Sequence, residues 1–162
     1  MEEMDVKERI LIVDDDDGTC RSLSLILRKK GYETETAGTG RDAIVKARRI
    51  FFNLVILDIR LPDVTGMEVL RTFREEYPAR MNIIITAYAT LQNAVEALNL
   101  GANAYIEKPI DHEMLEQKIE DCLKKQQEAL KNTHEKLTEF IDEVTEMRSR
   151  EQMLLNRYYQ RI

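Results

Sequence analysis

Four acidic residues, Asp14 to Asp17, follow directly on the apolar run Arg9-Ile10-Leu11-Ile12-Val13. A further carboxylate, Asp58, closes a second such run, Asn53-Leu54-Val55-Ile56-Leu57. Short apolar runs without alternation, bounded by turn signals, suit strands buried on both faces. Both strands would deliver their carboxylates to the carboxyl edge of a parallel sheet, where open α/β folds keep their ligand sites. Negative charges pooled there need a cation, and a donor set of oxygens alone selects a hard ion such as Mg²⁺. Two more strand ends carry polar groups. Thr86 follows Asn82-Ile83-Ile84-Ile85, and Lys108 follows Ala104-Tyr105-Ile106-Glu107. Polar residues mark many strand ends, but Asp-Asp, Asp, Thr and Lys on four of them make a chemical set. A carboxylate can attack a phosphoryl group and store it as an acyl phosphate. Transfer of that kind depends mostly on positioning and charge stabilisation, which an ammonium and a divalent ion supply.

The elements that must position these groups alternate along the chain. After the first strand at 9–13, Leu23, Ile26 and Leu27 recur at helical spacing up to Gly31, a residue suited to a helix C-terminus. Tyr32-Glu33-Thr34-Glu35-Thr36 alternates and reads as a second, more exposed strand. Gly38 and Gly40 mark a turn, and Ala43, Ile44 and Ala47 give a helix to about Arg49. The strand to Asp58 follows, with Pro62 and Gly66 shaping the loop beyond it. Met67, Val69, Leu70 and Phe73 make a third helix, stopped at Tyr77-Pro78. The strand 82–86 is succeeded by a helix carrying Leu91, Val95 and Leu98, closed by Leu100-Gly101, and by a last strand at 104–106. Five strand–helix alternations in about 110 residues predict a doubly wound, five-stranded parallel sheet with right-handed crossovers.

Composition sets the outer limits. A chain of 162 residues, 43% hydrophobic and 33% charged, accommodates one domain and an appendage. No apolar run approaches the roughly 20 residues that span a bilayer, so no membrane insertion is expected. The acidic start lacks the apolar segment of a secretory signal. Two cysteines, Cys20 and Cys122, do not make a disulfide framework; reduced thiols in a cytoplasm are the simple reading. The net charge of −6 argues against direct nucleic-acid binding. Residues 1–123 carry net −7 and residues 124–162 net +1, so the acidity lies with the carboxylate cluster.

Ile12-Val13-Asp14-Asp15, Leu57-Asp58 with Pro62 and Gly66, Ile85-Thr86-Ala87 and Lys108-Pro109 occur in an order and spacing that resembles the response-regulator receiver domain of two-component signalling. The resemblance covers residues 8 to about 123. It implies a flavodoxin-like sheet of order 2-1-3-4-5 and phosphorylation of Asp58 by a partner histidine kinase. It implies that Asp14, Asp15, Asp58 and the main-chain carbonyl of Arg60 hold Mg²⁺, with Lys108 on a phosphoryl oxygen and Pro109 following a cis peptide. It further implies a switch in which Thr86 turns toward the phosphoryl group and Tyr105 moves inward behind it. Arg60 and Tyr88 flank the site and are placed to tune hydrolysis. Asp16 and Asp17 read as solvated loop carboxylates, and Cys20 departs from the Arg of many relatives.

The remainder, 124–162, reads as a helical extension of the domain at 1–123. No proline follows Pro109 and no glycine follows Gly101, and the tail is rich in helix formers. Asp111 suits an N-cap. Leu123, Leu130, Leu137, Val144, Glu151 and Tyr158 form one column of a heptad seam; Ile119, Gln126, Thr133, Phe140, Met147 and Leu154 form the other. This predicts one continuous helix and a homodimer through it, the alternative being a helix that ends near Asn132-Thr133 and folds back as a hairpin, with Asn132 and Glu135 as a capping pair. His134 is expected to be solvated beside the seam. No helix-turn-helix pattern is visible, so output is expected to pass to an unknown downstream protein. Three functions compete: a phospho-acceptor that is not a turnover enzyme, a constitutive coiled-coil adaptor that never needs phosphate, and an aspartyl phosphatase. Arg60 stands where the last would carry a second Asp.

Overall fold

The computed structural model describes residues 6–161. Its elements in chain order are β1 (Arg9–Val13), α1 (Asp17–Lys29), β2 (Glu33–Ala37), α2 (Gly40–Arg49), β3 (Leu54–Asp58), α3 (Gly66–Glu76), β4 (Met81–Thr86), α4 (Leu91–Asn99), β5 (Ala104–Glu107) and α5 (His112–Tyr159). The strands form one parallel sheet of order β2-β1-β3-β4-β5, as expected for the doubly wound fold. The chain forms two compact units, residues 1–126 and 127–162.

In the first unit the sheet separates two apolar clusters. Ile10, Ile12, Leu54, Ile56, Ile83 and Ile85 face α1 and the first turns of α5, meeting Leu23, Leu27, Leu115 and Ile119. Leu11, Val13, Val55, Leu57 and Ile84 face the other way, onto Ala43, Val69, Leu70, Phe73 and Ala97. β3 is buried along its whole length because apolar layers cover both its faces, which is why its sequence does not alternate. The helices start and stop where local chemistry dictates. Asp16, Thr39, Thr65 and Thr90 each accept a hydrogen bond from an amide of the first turn of their helix. Gly31 and Gly101 take positive φ, a conformation costly for any residue with a Cβ, just beyond α1 and α4.

Several elements differ in detail from the sequence reading. β2 begins at Glu33, since the Tyr32 amide still bonds the Leu27 carbonyl in the turn that ends α1. Asp16 is the N-cap of α1, accepting from the Gly18 and Thr19 amides, and not merely a solvated carboxylate. α4 forms as its periodicity predicts, yet Leu91, Val95 and Leu98 are exposed and Ala97 is the residue it buries. Ala97 shares its cluster with the partly buried Leu100 and Tyr105.

The helix predicted from Asp111 onward runs unbroken from His112 to Tyr159, with Asp111 accepting from the Met114 amide. Its first seam positions serve the first unit instead. Ile119 and Leu123 are buried in the sheet core, and Gln126, which weakens a seam, is 3% exposed. The Gln126 amide donates to the Asn53 carbonyl at 2.9 Å and the Ala79 carbonyl at 2.8 Å. Its oxygen accepts from Asn53 Nδ2 at 3.4 Å, and Asn53 Oδ1 accepts from the Arg9 amide at 2.8 Å. One buried glutamine thus ties α5 to the starts of β1 and β3. In the second unit, 127–161, Leu130, Leu137, Phe140, Met147, Leu154 and Tyr158 are exposed. Among the described residues no helix is long and apolar enough to cross a membrane.

Replacement of Gln126 by Leu removes a donor from the part-buried Asn53 and Ala79 carbonyls, of which Asn53 keeps the Met81 amide. Leaving the Ala79 carbonyl without this donor is expected to cost about 1–3 kcal/mol. Urea unfolding should show a lowered midpoint with an unchanged slope.

Candidate functional site

β1 and β3 lie side by side in the sheet, Val13 level with Leu57, so the residues just beyond their carboxyl ends converge. Asp14 and Asp58 stand there, with side chains 0% and 8% exposed. A carboxylate oxygen of Asp14, of the exposed Asp15 and of Asp58 all lie within 4.8 Å of one another. Lys108, delivered by β5, reaches back between two of them. Its Nζ donates to Asp14 Oδ2 at 2.7 Å and to Asp58 Oδ2 at 2.8 Å. The remaining oxygens are also engaged. Asp14 Oδ1 accepts from the Asp16 amide at 2.9 Å, and Asp58 Oδ1 accepts from the Arg60 amide at 3.1 Å.

Burial decides the direction for Asp58, and the ion pairs decide it for Lys108. Burial pushes the Asp58 carboxyl above its ordinary range; the hydrogen bonds from Lys108 and the Arg60 amide and the Lys108 charge pull it back only in part, and the Asp14 charge raises it again. Burial pulls the Lys108 ammonium down, but its hydrogen bonds to Asp14 and Asp58, and the charges of both, outweigh this and hold it above the ordinary lysine value. Lys108 therefore stays charged throughout the physiological range. Cys20 donates its thiol to the Asp14 carbonyl at 3.3 Å. Burial first, then the Asp14 charge, pushes that thiol up to about 11, so it is protonated and inert at neutral pH.

The other sequence-predicted residues surround this core. Thr86 is fully buried at the end of β4, one residue past the Ile85 that lies level with Asp58. Its hydroxyl accepts from the Tyr88 amide at 3.0 Å, and its carbonyl accepts from the Lys108 amide at 2.8 Å. Tyr105 lies on β5 level with Ile84, half-buried in the cluster of Ala97 and Leu100. Its hydroxyl is enclosed beside the Thr90 main chain without a well-formed hydrogen bond. The Arg60 guanidinium lies over the Tyr88 ring, 3.3 Å from the centroid. The Lys108–Pro109 peptide is cis.

The loop beyond Asp58 is shaped by Gly66, as its sequence suggested, and by Asp63, which sequence reasoning did not single out. Asp63 turns its carboxylate onto the start of α2, accepting from the Gly40 amide at 2.9 Å and the Arg41 amide at 3.0 Å. A Cβ on Gly66 would stand 2.3 Å from the Asp58 carbonyl oxygen, so only glycine allows the loop to close against β3. The Gly66 amide completes that closure by donating to the Ile59 carbonyl at 2.7 Å. The partners of Asp63 are amides at the start of α2, 22 and 23 residues earlier in the chain, and could not be read locally.

A half-buried ammonium shared by carboxylates from two parallel strands, at the carboxyl edge of a 2-1-3-4-5 sheet, defines a site for an anionic group held against a strand-end aspartate. Residues 10–120 match the profile of the response regulator receiver domain, and the chain belongs to that family, which serves two-component signal transduction. The chain is 39% identical over 114 residues to the transcriptional regulatory protein ZraR of Escherichia coli K12, a match covering 70% of this chain and 26% of that protein. It therefore spans about a quarter of the length of such curated relatives. A CheY-like receiver domain structure from Methanospirillum hungatei is 42% identical, with a TM-score of 0.74 over 76% of this chain and 98% of that one. The beryllofluoride-activated NtrC4 receiver domain dimer is 34% identical, with a TM-score of 0.70 over 73% of this chain and 98% of that one.

The Asp63 carboxyl is held down to about 2, first by the Arg41 amide, against the opposing effect of burial, and then by the Gly40 amide. The folded value lies below the roughly 3.9 of an unfolded aspartate. The clamp's contribution is thus present above about pH 4 and disappears as pH falls through the folded value. An Asp63→Asn variant should be less stable than the parent at neutral pH, and the two denaturation midpoints should converge as the pH approaches about 2.

Proposed function

We propose that this chain takes a phosphoryl group from a histidine kinase onto Asp58 and signals through the part of α5 beyond Gln126. The observation that carries this reading is the Lys108 ammonium within 2.8 Å of both Asp14 and Asp58. An Asp58 carboxylate oxygen attacks phosphorus, the phosphorus–nitrogen bond of the donor's phosphohistidine breaks, and the imidazole leaves with the electron pair. Lys108 then exchanges a carboxylate contact for a phosphoryl oxygen. Asp14, Asp15 and Asp58 offer the oxygen donors that suit Mg²⁺, joined by the Arg60 carbonyl on the family's pattern. The ion when bound supplies charge neutralisation for the phosphoryl oxygens. Thr86 donates its hydroxyl to the same group, giving up the Tyr88 amide, and Arg60 stacked on Tyr88 screens the site from water.

The kinase surface on this reading is the groove of about 420 Å³ between the start of α1 and the loop after β5, lined by Asp16, Thr19, Leu23, Lys108, Pro109 and Ile110. A larger groove of about 610 Å³ along α1 and β2 includes none of the site residues and plays no part. The protein promotes its own phosphorylation and slow hydrolysis without turning over a substrate, and it works in the cytoplasm. Output passes to a further protein and, with the dimeric activated relative as support, to a second copy through α5; direct contact with nucleic acid is not part of it. One observation favours a second reading, a constitutive adaptor: Tyr105 already stands half-buried and inward.

Acetyl phosphate with Mg²⁺ should add one phosphoryl group, seen as a single mass adduct. Chelation by EDTA and the Asp58→Asn variant should each abolish it, and an unmodified parent protein would refute the acceptor role. Light scattering with and without beryllofluoride separates the two readings, since a constitutive adaptor keeps one oligomeric mass.

A further inference from the structure

We propose that residues 127–161 pair with the same segment of a second copy as a parallel, in-register, two-stranded coiled coil. The inference rests on the dimer reading above and adds its direction and alignment. Within this unit the two seam columns are Leu130, Leu137, Val144, Glu151 and Tyr158, and Thr133, Phe140, Met147 and Leu154. All are exposed or, for Val144, half-exposed, so the seam has no intramolecular cover within the unit.

The flanking charges decide the direction. In a parallel pair, each residue before the Leu130 column faces, on the other chain, the residue five positions on. Glu143 then faces Arg148 of the second copy, twice by symmetry. Lys136 faces Ile141 and Arg150 faces Leu155, where long aliphatic stems lie along apolar neighbours. No like charges meet across these flanks. Arg150 also contacts Glu146 of its own helix at 3.7 Å, an exposed pair that leaves its stem free to pack.

Antiparallel alignments set like flank against like flank, and each full-length one meets a conflict. With Val144 level with Phe140 of the partner, Glu143 faces Glu143 and Lys136 faces Arg150. One heptad further along, Lys136 faces Arg157 on both sides, which offsets the Glu143–Arg150 pairs formed there; after another, Arg150 meets Arg150 and Arg148 meets Arg148 against the Glu143–Arg157 pairs. The alignment that places Leu137 level with Phe140 does pair Lys136 with Glu143, but it leaves Leu154, Leu155 and Tyr158 bare.

The parallel pair has one internal cost. Glu151 faces its own copy within the seam, flanked by Arg150 of each chain. A polar group there sets register at the expense of stability.

The test uses the full chain carrying Met147→Cys, in which mild oxidation joins two copies only if position 147 meets itself within disulfide reach. The native thiols Cys20 and Cys122 are buried, and the parent chain serves as the control. Expected are a disulfide dimer with Met147→Cys, the same with Phe140→Cys, and no cross-link between Leu137→Cys and Leu154→Cys chains when mixed. A non-covalent dimer by light scattering that forms no 147–147 or 140–140 disulfide, or that links 137 to 154, overturns the parallel register and leaves the dimer standing. A monomer at every concentration overturns both. Glu151→Leu should tighten dimerisation about tenfold, and an unchanged dissociation constant would place Glu151 outside the seam.

Discussion

The site is a problem in charge balance. Two carboxylates buried at neighbouring strand ends repel each other, and withdrawing either from water is costly unless a cation stands between them. Lys108 is that cation, and it comes from the opposite side of the sheet by way of β5. The strand order answers the same requirement. β1 and β3 are adjacent so that Asp14 and Asp58 can share one proton-rich partner, and β4 and β5 follow so that Thr86 and Lys108 approach from the far side. A site held by opposing charges is poised to exchange partners, because an incoming anionic group and a divalent ion offer the lysine and the carboxylates new ones.

The surroundings are rigid where the chemistry needs fixed geometry. The loop beyond Asp58 is closed against β3 at Gly66, where no Cβ fits, and pinned to α2 through the Asp63 carboxylate. The loop that follows Thr86 is held by the Thr86 hydroxyl on the Tyr88 amide, by Asn93 Nδ2 on the Tyr88 carbonyl and by a cation resting on a ring. Thr86 thus links the site to the stretch that carries Tyr88 and leads into α4. The exposed apolar residues of α4 lie beyond that stretch.

The long final helix divides its apolar residues between two uses. Up to Gln126 they complete the core beneath the sheet; from Leu130 onward they have no cover within their own unit. The same heptad spacing serves both, because a helix stripe that fits a sheet and one that fits another helix differ little in period. Gln126 marks the change, its amide spent on two carbonyls of the domain.

Much of this was legible in the residues. The strand-end polar groups, the alternation of buried strands with amphipathic helices, and the unbroken tail all follow from local rules, and the structure places each of these elements within a residue or two. Less legible were the face α4 buries, the split of the heptad seam, the cap made by Asp16 and the clamp made by Asp63. Each depends on a neighbour distant in sequence: Tyr105 and Leu100 for Ala97, Asn53 and Ala79 for Gln126, the start of α2 for Asp63.

By itself the sequence determined which residues are strand-end acids, which stretches are helix and which are strand, because hydrophobic period and capping chemistry act over a few residues. Only the tertiary structure decided that one ammonium would lie between Asp14 and Asp58, and that a glutamine in an apolar column would close a domain instead of weakening a coil. Contacts between residues tens of positions apart are set by how the layers pack, and no local pattern records that.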